Sequence, residues 1–310
     1  MRIPAKLTRY AKNPVLCGRG DEKLWDGRGA FNAGAIIHDD GKVHLLYRAE
    51  GSVPRWPGSE FWQGTIGHAV SEDGFTFNVR SDKPVLDITG EDPMLARVTG
   101  VEDPRITKIG DTYYIVYAVT SDCWDRLCWA TTKDFKTFTK HGILKKDIAQ
   151  RTGALFPQKF DDDFVLMHRP IPNIWISRSS DLHEWHDAKM ILTNEILPWT
   201  NLKLGVCGVP IRTSRAWAVI FHGMDLKLRY RLGILWLDLE DPTKVLYVQP
   251  EPILEPETDY EIEHGLKTGL TVVYSCGQVV MNGQVIVYYG AGDSTLCIGA
   301  MPQEMLEYPF

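Results

Sequence analysis

The chain has 310 residues, is 44% hydrophobic and 24% charged, and carries a formal net charge of -6. That balance describes a globular protein with enough apolar residues for a full core, and it excludes disordered and fibrous classes. No basic surplus points to a nucleic-acid partner, and no apolar run reaches the ~18 residues of a membrane span.

The first residues, MRIPAKLTRYAKNPVL, hold early basic groups but no apolar stretch, so they are not read as a signal peptide. Six cysteines (Cys17, Cys123, Cys128, Cys207, Cys276 and Cys297) are scattered without a C-x-x-C pair. They are expected to be free, mostly buried thiols of a cytoplasmic protein.

Helical periodicity is nearly absent along the chain. Short runs rich in β-branched and aromatic residues appear instead, and five are alike: Val43 to Ala49, Tyr113 to Val119, Phe164 to Pro170, Ala216 to Gly223 and Val285 to Gly292. Most follow a turn signal: Asp40-Gly41, Gly110-Asp111, Asp161 to Asp163, or Asn282-Gly283. A second strand-like run follows each: IGHAVSEDGFTF, LCWATTKDFKTF, IWISRSSDLHEW, LGILWLDLEDP and LCIGA. The first three share a small or hydroxyl residue, then an Asp, then an aromatic, which reads as strand, tight turn, strand. The unit recurs at roughly fifty to seventy residues, the spacing of four-stranded propeller blades. The expected fold is therefore an all-β, five-bladed β-propeller formed by residues 1–310 as one domain. A two-sheet sandwich is the rival, but five similar units are hard to arrange in one. Propeller blades converge on an axial pocket, and the runs end on unusually polar residues, among them Arg48, Arg169, His222 and Asp293.

The sharpest segment is Gly100 to Ile106, where Glu102 and Asp103 precede Pro104 and Arg105 just before a strand. Proline biases Asp103 towards an extended backbone, and Arg105 is placed to hold a carboxylate. In isolation such a segment reads as a turn with a structural Asp–Arg pair. A basic group follows: Arg151, His168, Arg169, Lys203 and His222, several within apolar runs where an unpaired charge is costly. Any one of them reads as a surface partner of nearby acids. Several at corresponding ends of repeated units read as an anion site, with arginine forks and a lysine point charge. The acidic stretch EPILEPETDYEIEHG reads as a solvated loop, with a sugar subsite as its alternative. The His pairs lack metal spacing, and no nucleotide, hydrolase-elbow or zinc-protease motif occurs.

These residues resemble glycoside hydrolase family 130, the inverting β-mannoside phosphorylases and related mannosidases. The likeness runs through Asn13-Pro14-Val15-Leu16, FNAGAI, LLYRAEG, VEDPRI, ALFP, MHRP, NLKLG, FHG, YRLG, DLEDP and YYGAGDS. The resemblance implies the same five-bladed propeller with a central site. It implies Asp103 as general acid, acting through the 3-hydroxyl of the mannosyl unit. Phosphate would be held by Arg151, Arg169, Lys203, His222 and Tyr230, and the sugar by Asn32, Arg48, Glu102, Arg105 and Asp293. Many members carry Tyr where Glu102 stands, and an acid there leans the expected substrate towards β-1,2-mannosides, with β-1,4-mannosyl-glucose or -N-acetylglucosamine as the other choice. The implied products are α-D-mannose 1-phosphate and a shortened mannoside. No metal or organic cofactor is implied, inorganic phosphate being a co-substrate, and the family resemblance implies a homo-oligomer. The residue types fit that chemistry. Inverting hydrolysis needs an acid and a base carboxylate. Phosphorolysis needs the acid and a set of cations to aim an anionic nucleophile. A hydrolytic β-mannosidase and a non-catalytic sugar-binding propeller are the competing functions.

Overall fold

The computed structural model describes residues 4–95, 97–262 and 269–307. Strands dominate. They are β1 (Thr8–Arg9), β2 (Gly29–Ile37), β3 (Val43–Pro54), β4 (Trp62–Ser71) and β5 (Val79–Arg80), then β6 (Val98–Ile109), β7 (Thr112–Ser121), β8 (Arg126–Thr132) and β9 (Thr139–Ile143). Next come β10 (Gly153–Leu155), β11 (Phe164–His168), β12 (Ile174–Ser179) and β13 (His186–Leu192). The last are β14 (Lys203–Val206), β15 (Ile211–Arg212), β16 (Trp217–Met224), β17 (Tyr230–Leu237), β18 (Val245–Val248), β19 (Val273–Met281), β20 (Gln284–Ala291) and β21 (Thr295–Pro302). Helical residues among those described are confined to 259–262 and a 3-10 turn at Gln303–Glu307. The all-β expectation holds, and each of the five runs and of their followers contributes a strand. No described helix is long and apolar enough to cross a membrane.

Two sheets follow chain order, β6 to β9 and β10 to β13, and a third runs β14-β16-β17-β18 with β15 also on β16, each antiparallel between neighbours. The fourth has the order β19-β20-β21-β2-β3-β4-β5, with β1 also on β21. It consists of two antiparallel parts joined by a parallel bridge, Ala30 to Thr295. The ends of the chain thus close into one sheet, and β2 packs against both β6 and β19.

Local chemistry explains the repeat. Between β4 and β5, Asp73 Oδ1 accepts the Phe75 and Thr76 amides at 2.8 and 2.7 Å, while Ser71 Oγ accepts Gly74 N. Asp134 with Thr132, and Asp181 with Ser179, repeat the arrangement in the next two sheets. A short polar side chain thereby replaces strand pairing and turns the chain. The hairpin between β19 and β20 uses Asn282-Gly283, both with left-handed φ, 51° and 74°, as a two-residue turn of matching twist requires.

Apolar faces of successive sheets bury against each other. Trp217, Trp236 and Phe221 are essentially inaccessible, and each large apolar side chain so removed from water contributes about 1.5–3 kcal/mol. Four of the six cysteines are buried, and all six are free. The acidic stretch differs from expectation at Glu261, which is fully buried and accepts Arg9 Nε and Tyr289 Oη at 2.9 and 2.8 Å, tying β1 to its sheet. Residues 263–265 of that stretch lie outside the described residues.

Candidate active site

A cavity of about 210 Å³ is lined by Asn32, Arg48, Asp103, Arg151, Thr152, Arg169, Lys203, Tyr230, Leu270, Val272, Tyr274 and Asp293. Eight of the residues singled out in the sequence thus meet at one place, although they come from four different sheets.

Bulges aim the two central side chains. The register of β6 against β7 slips between Glu102 and Arg105, and that of β2 against β3 slips between Phe31 and Gly34. Asn32, Asp103 and Asp293 all hold left-handed φ values of 47°, 53° and 50°. Non-glycine residues adopt that region at a cost, and such positions cluster at functional sites. The extended backbone expected for Asp103 ahead of Pro104 is therefore corrected: the bulge turns it left-handed, and Asn32 Nδ2 meets its Oδ1 at 3.0 Å. The glycine-rich end of β20 also has a reason, because a Cβ on Gly290 would lie 2.0 Å from Asn32 Oδ1.

Three expected ligands stand behind the cavity wall. Glu102 is fully buried and bonded to Arg48, Arg55 and Arg151, with Arg48 Nη1 at 3.0 Å from Oε2. Burial pushes its carboxyl up, but the three guanidiniums outweigh that and hold it well below the usual carboxylate range. Arg105 is also buried. Its guanidinium donates to the carbonyls of Asp103 and Cys207 at 2.6 and 2.9 Å, and to Tyr274 Oη at 2.9 Å. It braces the Asp103 bulge from behind and leaves the Asp103 carboxylate to Asn32 and to Arg48, 3.7 Å away. His222 is fully buried, with its Nδ1 3.8 Å from Cys207 Sγ. Burial, Arg169, Arg105 and Lys203 push its pKa well down, so it is neutral and adds no positive charge.

The cations that do reach the cavity fall into two kinds. Arg48 and Arg151 are compensated: Arg48 lies 2.5 Å from Glu50, and Arg151 is bonded to Glu102. Arg169 and Lys203 have no carboxylate within ion-pair distance among the described residues, and Arg169 Nε is buried without a hydrogen-bond partner. Burial, then Arg169 and Arg151, lower the Lys203 pKa to about 8. The aromatic wall is Tyr230 and Tyr274, perpendicular at 5.8 Å between centroids, with Lys203 Nζ 5.4 Å from the Tyr230 ring. A buried arginine and a lysine that face a cavity, neither in an ion pair among the described residues, form a site that an anion completes.

Sequence reading missed Thr152, which lines the cavity, and Tyr274 and Arg55, whose roles depend on distant partners. It also missed His38, Asp40 and His44, whose ligand atoms lie within 4.8 Å of one another at the turn between β2 and β3. That group does not line the cavity. Its rings pack with His68 and Tyr113 around Phe135, as a polar extension of the core.

A family profile described as beta-1,4-mannooligosaccharide phosphorylase matches residues 18–308. The chain belongs to glycoside hydrolase family 130. Within the family, a beta-1,2-mannobiose phosphorylase of a Thermoanaerobacter species is 40% identical, covering 98% of this chain and 99% of its own. A 1,2-beta-oligomannan phosphorylase of a Thermoanaerobacter species is 37% identical with the same coverage. The solved structure of a beta-1,2-mannobiose phosphorylase from Listeria innocua, complexed with beta-1,2-mannobiose, aligns with a TM-score of 0.84 at 26% identity. The alignment covers 97% of this chain and 98% of that one.

Proposed function

We propose that this family 130 protein catalyses the phosphorolysis of β-mannosides, β-1,2-linked oligomannosides foremost, with inversion to α-D-mannose 1-phosphate. The observation that carries the reading is that Arg169 and Lys203, neither in an ion pair among the described residues, stand beside Asp103 in one cavity. Phosphate supplies the missing negative charge and is itself the nucleophile. Its oxygen bonds to C1 as the C1–O glycosidic bond breaks. The leaving oxygen takes a proton that originates on the Asp103 carboxyl, relayed through the 3-hydroxyl as the family resemblance implies. Arg169, Lys203 and Arg151 hold the attacking anion in line, so no carboxylate base is needed. The β-1,2 preference rests on the names of the two relatives at 37% and 40% identity, against the β-1,4 description of the family profile.

The fold reading extends to a five-bladed propeller acting as one catalytic domain. It is supported by five antiparallel units in chain order whose first strands, β2, β6, β10, β14 and β19, all supply or adjoin cavity residues. Six free cysteines support a reducing compartment such as the cytoplasm. A hydrolase is the second reading, because Asp293 brings another carboxylate to the cavity. Incubating β-1,2-mannobiose with and without inorganic phosphate decides between them. Phosphorolysis requires phosphate and yields mannose 1-phosphate; release of free mannose alone, at full rate without phosphate, means hydrolysis.

A further inference from the structure

We propose that His38, Asp40 and His44, at the turn between β2 and β3, form a binding site for a divalent transition-metal cation of the Zn²⁺ type. None of the three lines the catalytic cavity, and the proposal does not rest on the phosphorylase reading.

One ligand atom from each of the three lies within 4.8 Å of the others. Asp40 stands between the imidazoles: its Oδ1 is 3.2 Å from His38 Nδ1, and its Oδ2 is 3.5 Å from His44 Nε2. Donors on opposite sides of a zinc ion are roughly 4.2 Å apart at bonds of ~2.1 Å, so a small turn of the exposed Asp40 side chain closes the set. The Asp40 amide meets His38 Nδ1 at a long 3.3 Å, a contact that the cation replaces.

His44 carries the argument furthest. It is 7% exposed, and its Nε2 is buried without a hydrogen-bond partner. A buried nitrogen left in that state costs free energy, and a cation held by Asp40 satisfies it. The other ring nitrogen, Nδ1, is 3.0 Å from His68 Nε2. A ligating histidine bonds outward through its second nitrogen, which fixes the ring and its tautomer. With the Nε2 lone pair on a metal, His44 Nδ1–H donates to His68.

The scaffold is tied by its own contacts. His38 N donates to Lys42 O and Gly41 N to His38 O, both at 2.9 Å, closing the hairpin that carries all three residues. The His38 ring stacks on His44 at 4.6 Å and on Tyr113 at 5.5 Å, and His44 packs on Phe135 at 4.8 Å. The lysines beside the turn pair with other carboxylates, Lys42 with Glu72 at 3.0 Å and Lys108 with Asp39. Two imidazoles and one carboxylate suit Zn²⁺ and similar cations, whereas Mg²⁺ and Ca²⁺ take oxygen ligands. Three protein ligands leave a fourth position for water.

Titration calorimetry of chelator-stripped protein with Zn²⁺ in phosphate-free buffer tests this. Wild type should bind one tight equivalent, and Zn²⁺ should raise its thermal unfolding midpoint. An outer partner of a metal site is worth about 10–100-fold in affinity and a direct ligand at least as much, so His38→Gln and Asp40→Asn should each weaken that equivalent by about tenfold or more. Asp40→Asn keeps an oxygen to accept Lys42 N, bonded at 3.0 Å, so the metal-free turn and its unfolding midpoint should survive. If His38→Gln lowers the metal-free midpoint, Asp40→Asn decides alone. His186→Gln, which removes a half-exposed imidazole elsewhere, should match wild type. Wild type without saturable Zn²⁺ binding overturns the site, as does equal affinity in wild type and Asp40→Asn. An equal loss in His186→Gln, or Mg²⁺ binding as tightly as Zn²⁺, overturns it as well.

Discussion

Asn32 and Asp103, from the bulges of two different sheets, meet through one hydrogen bond of 3.0 Å, and both carry the left-handed backbone. The bond fixes one Asp103 oxygen, and the Asn32 Oδ1 is left buried at the cavity without a partner. Asn32 thus positions the acid. Asp103→Asn retains an oxygen that can accept the Asn32 amide, so the fold should survive while the proton donor is lost. Turnover should drop by about 10²–10⁴-fold or more, measured as mannose 1-phosphate release alongside thermal unfolding. Near-normal turnover in a folded variant would move the acid elsewhere. Asn32→Ala should cost about ten- to a hundredfold in kcat/KM, the size of one hydrogen bond to a charged group.

Arg169 separates phosphate binding from sugar binding. Its guanidinium is buried with no carboxylate within ion-pair distance among the described residues, so removing it takes away charge that an anion uses. Arg169→Ala should raise the KM for phosphate by about tenfold or more and change the KM for mannoside much less. Paired titrations of the two substrates check this; equal weakening of both would contradict an anion role.

Glu102 pairs with three guanidiniums at once, two of which, Arg48 and Arg151, line the cavity. Breaking a buried ion cluster by removing the carboxylate that its three guanidiniums share leaves like charges under-compensated, at about 3–5 kcal/mol. Glu102→Gln should lose that much stability in urea unfolding. Added phosphate should then raise the melting temperature of the variant more than that of wild type, because the anion replaces part of the missing charge. An equal or smaller rise would separate Glu102 from the anion site.

How much of this was legible depended on the kind of information each feature needs. The strands were legible because β-branched runs, Asn282-Gly283 and the Asp73, Asp134 and Asp181 turns act through neighbours a few residues away. Asn32, Arg48, Asp103 and Asp293 were legible as strand-end polar groups or through family likeness. Depth was not. Glu102 and Asp103 are adjacent, yet one faces buried arginines and the other the cavity, since successive strand residues point to opposite faces and a bulge resets the count. His222 and Arg105 fell behind the wall for the same reason. Arg55 and Tyr274 gained meaning only from Glu102 and Arg105, which are remote in sequence.

Lys203 gives the anion site a pH signature. Burial, then Arg169 and Arg151, bring its pKa down to about 8. Below that pH the ammonium is charged and attracts phosphate, which is mainly a dianion above neutrality. Above it the proton is lost from the free enzyme, and phosphate binding loses a cation. Bound phosphate stabilises the charged form and raises the pKa, so the group stays protonated to higher pH once the complex has formed. The effect therefore belongs to kcat/KM for phosphate, which reports the free enzyme, and not to kcat. That parameter should fall as pH rises through about 8, while kcat/KM for mannoside at saturating phosphate stays nearly level. Lys203→Arg keeps its charge throughout and should flatten the profile. A wild-type profile for phosphate that stays level from pH 7 to pH 9.5 would show that Lys203 does not carry the charge that recruits the anion.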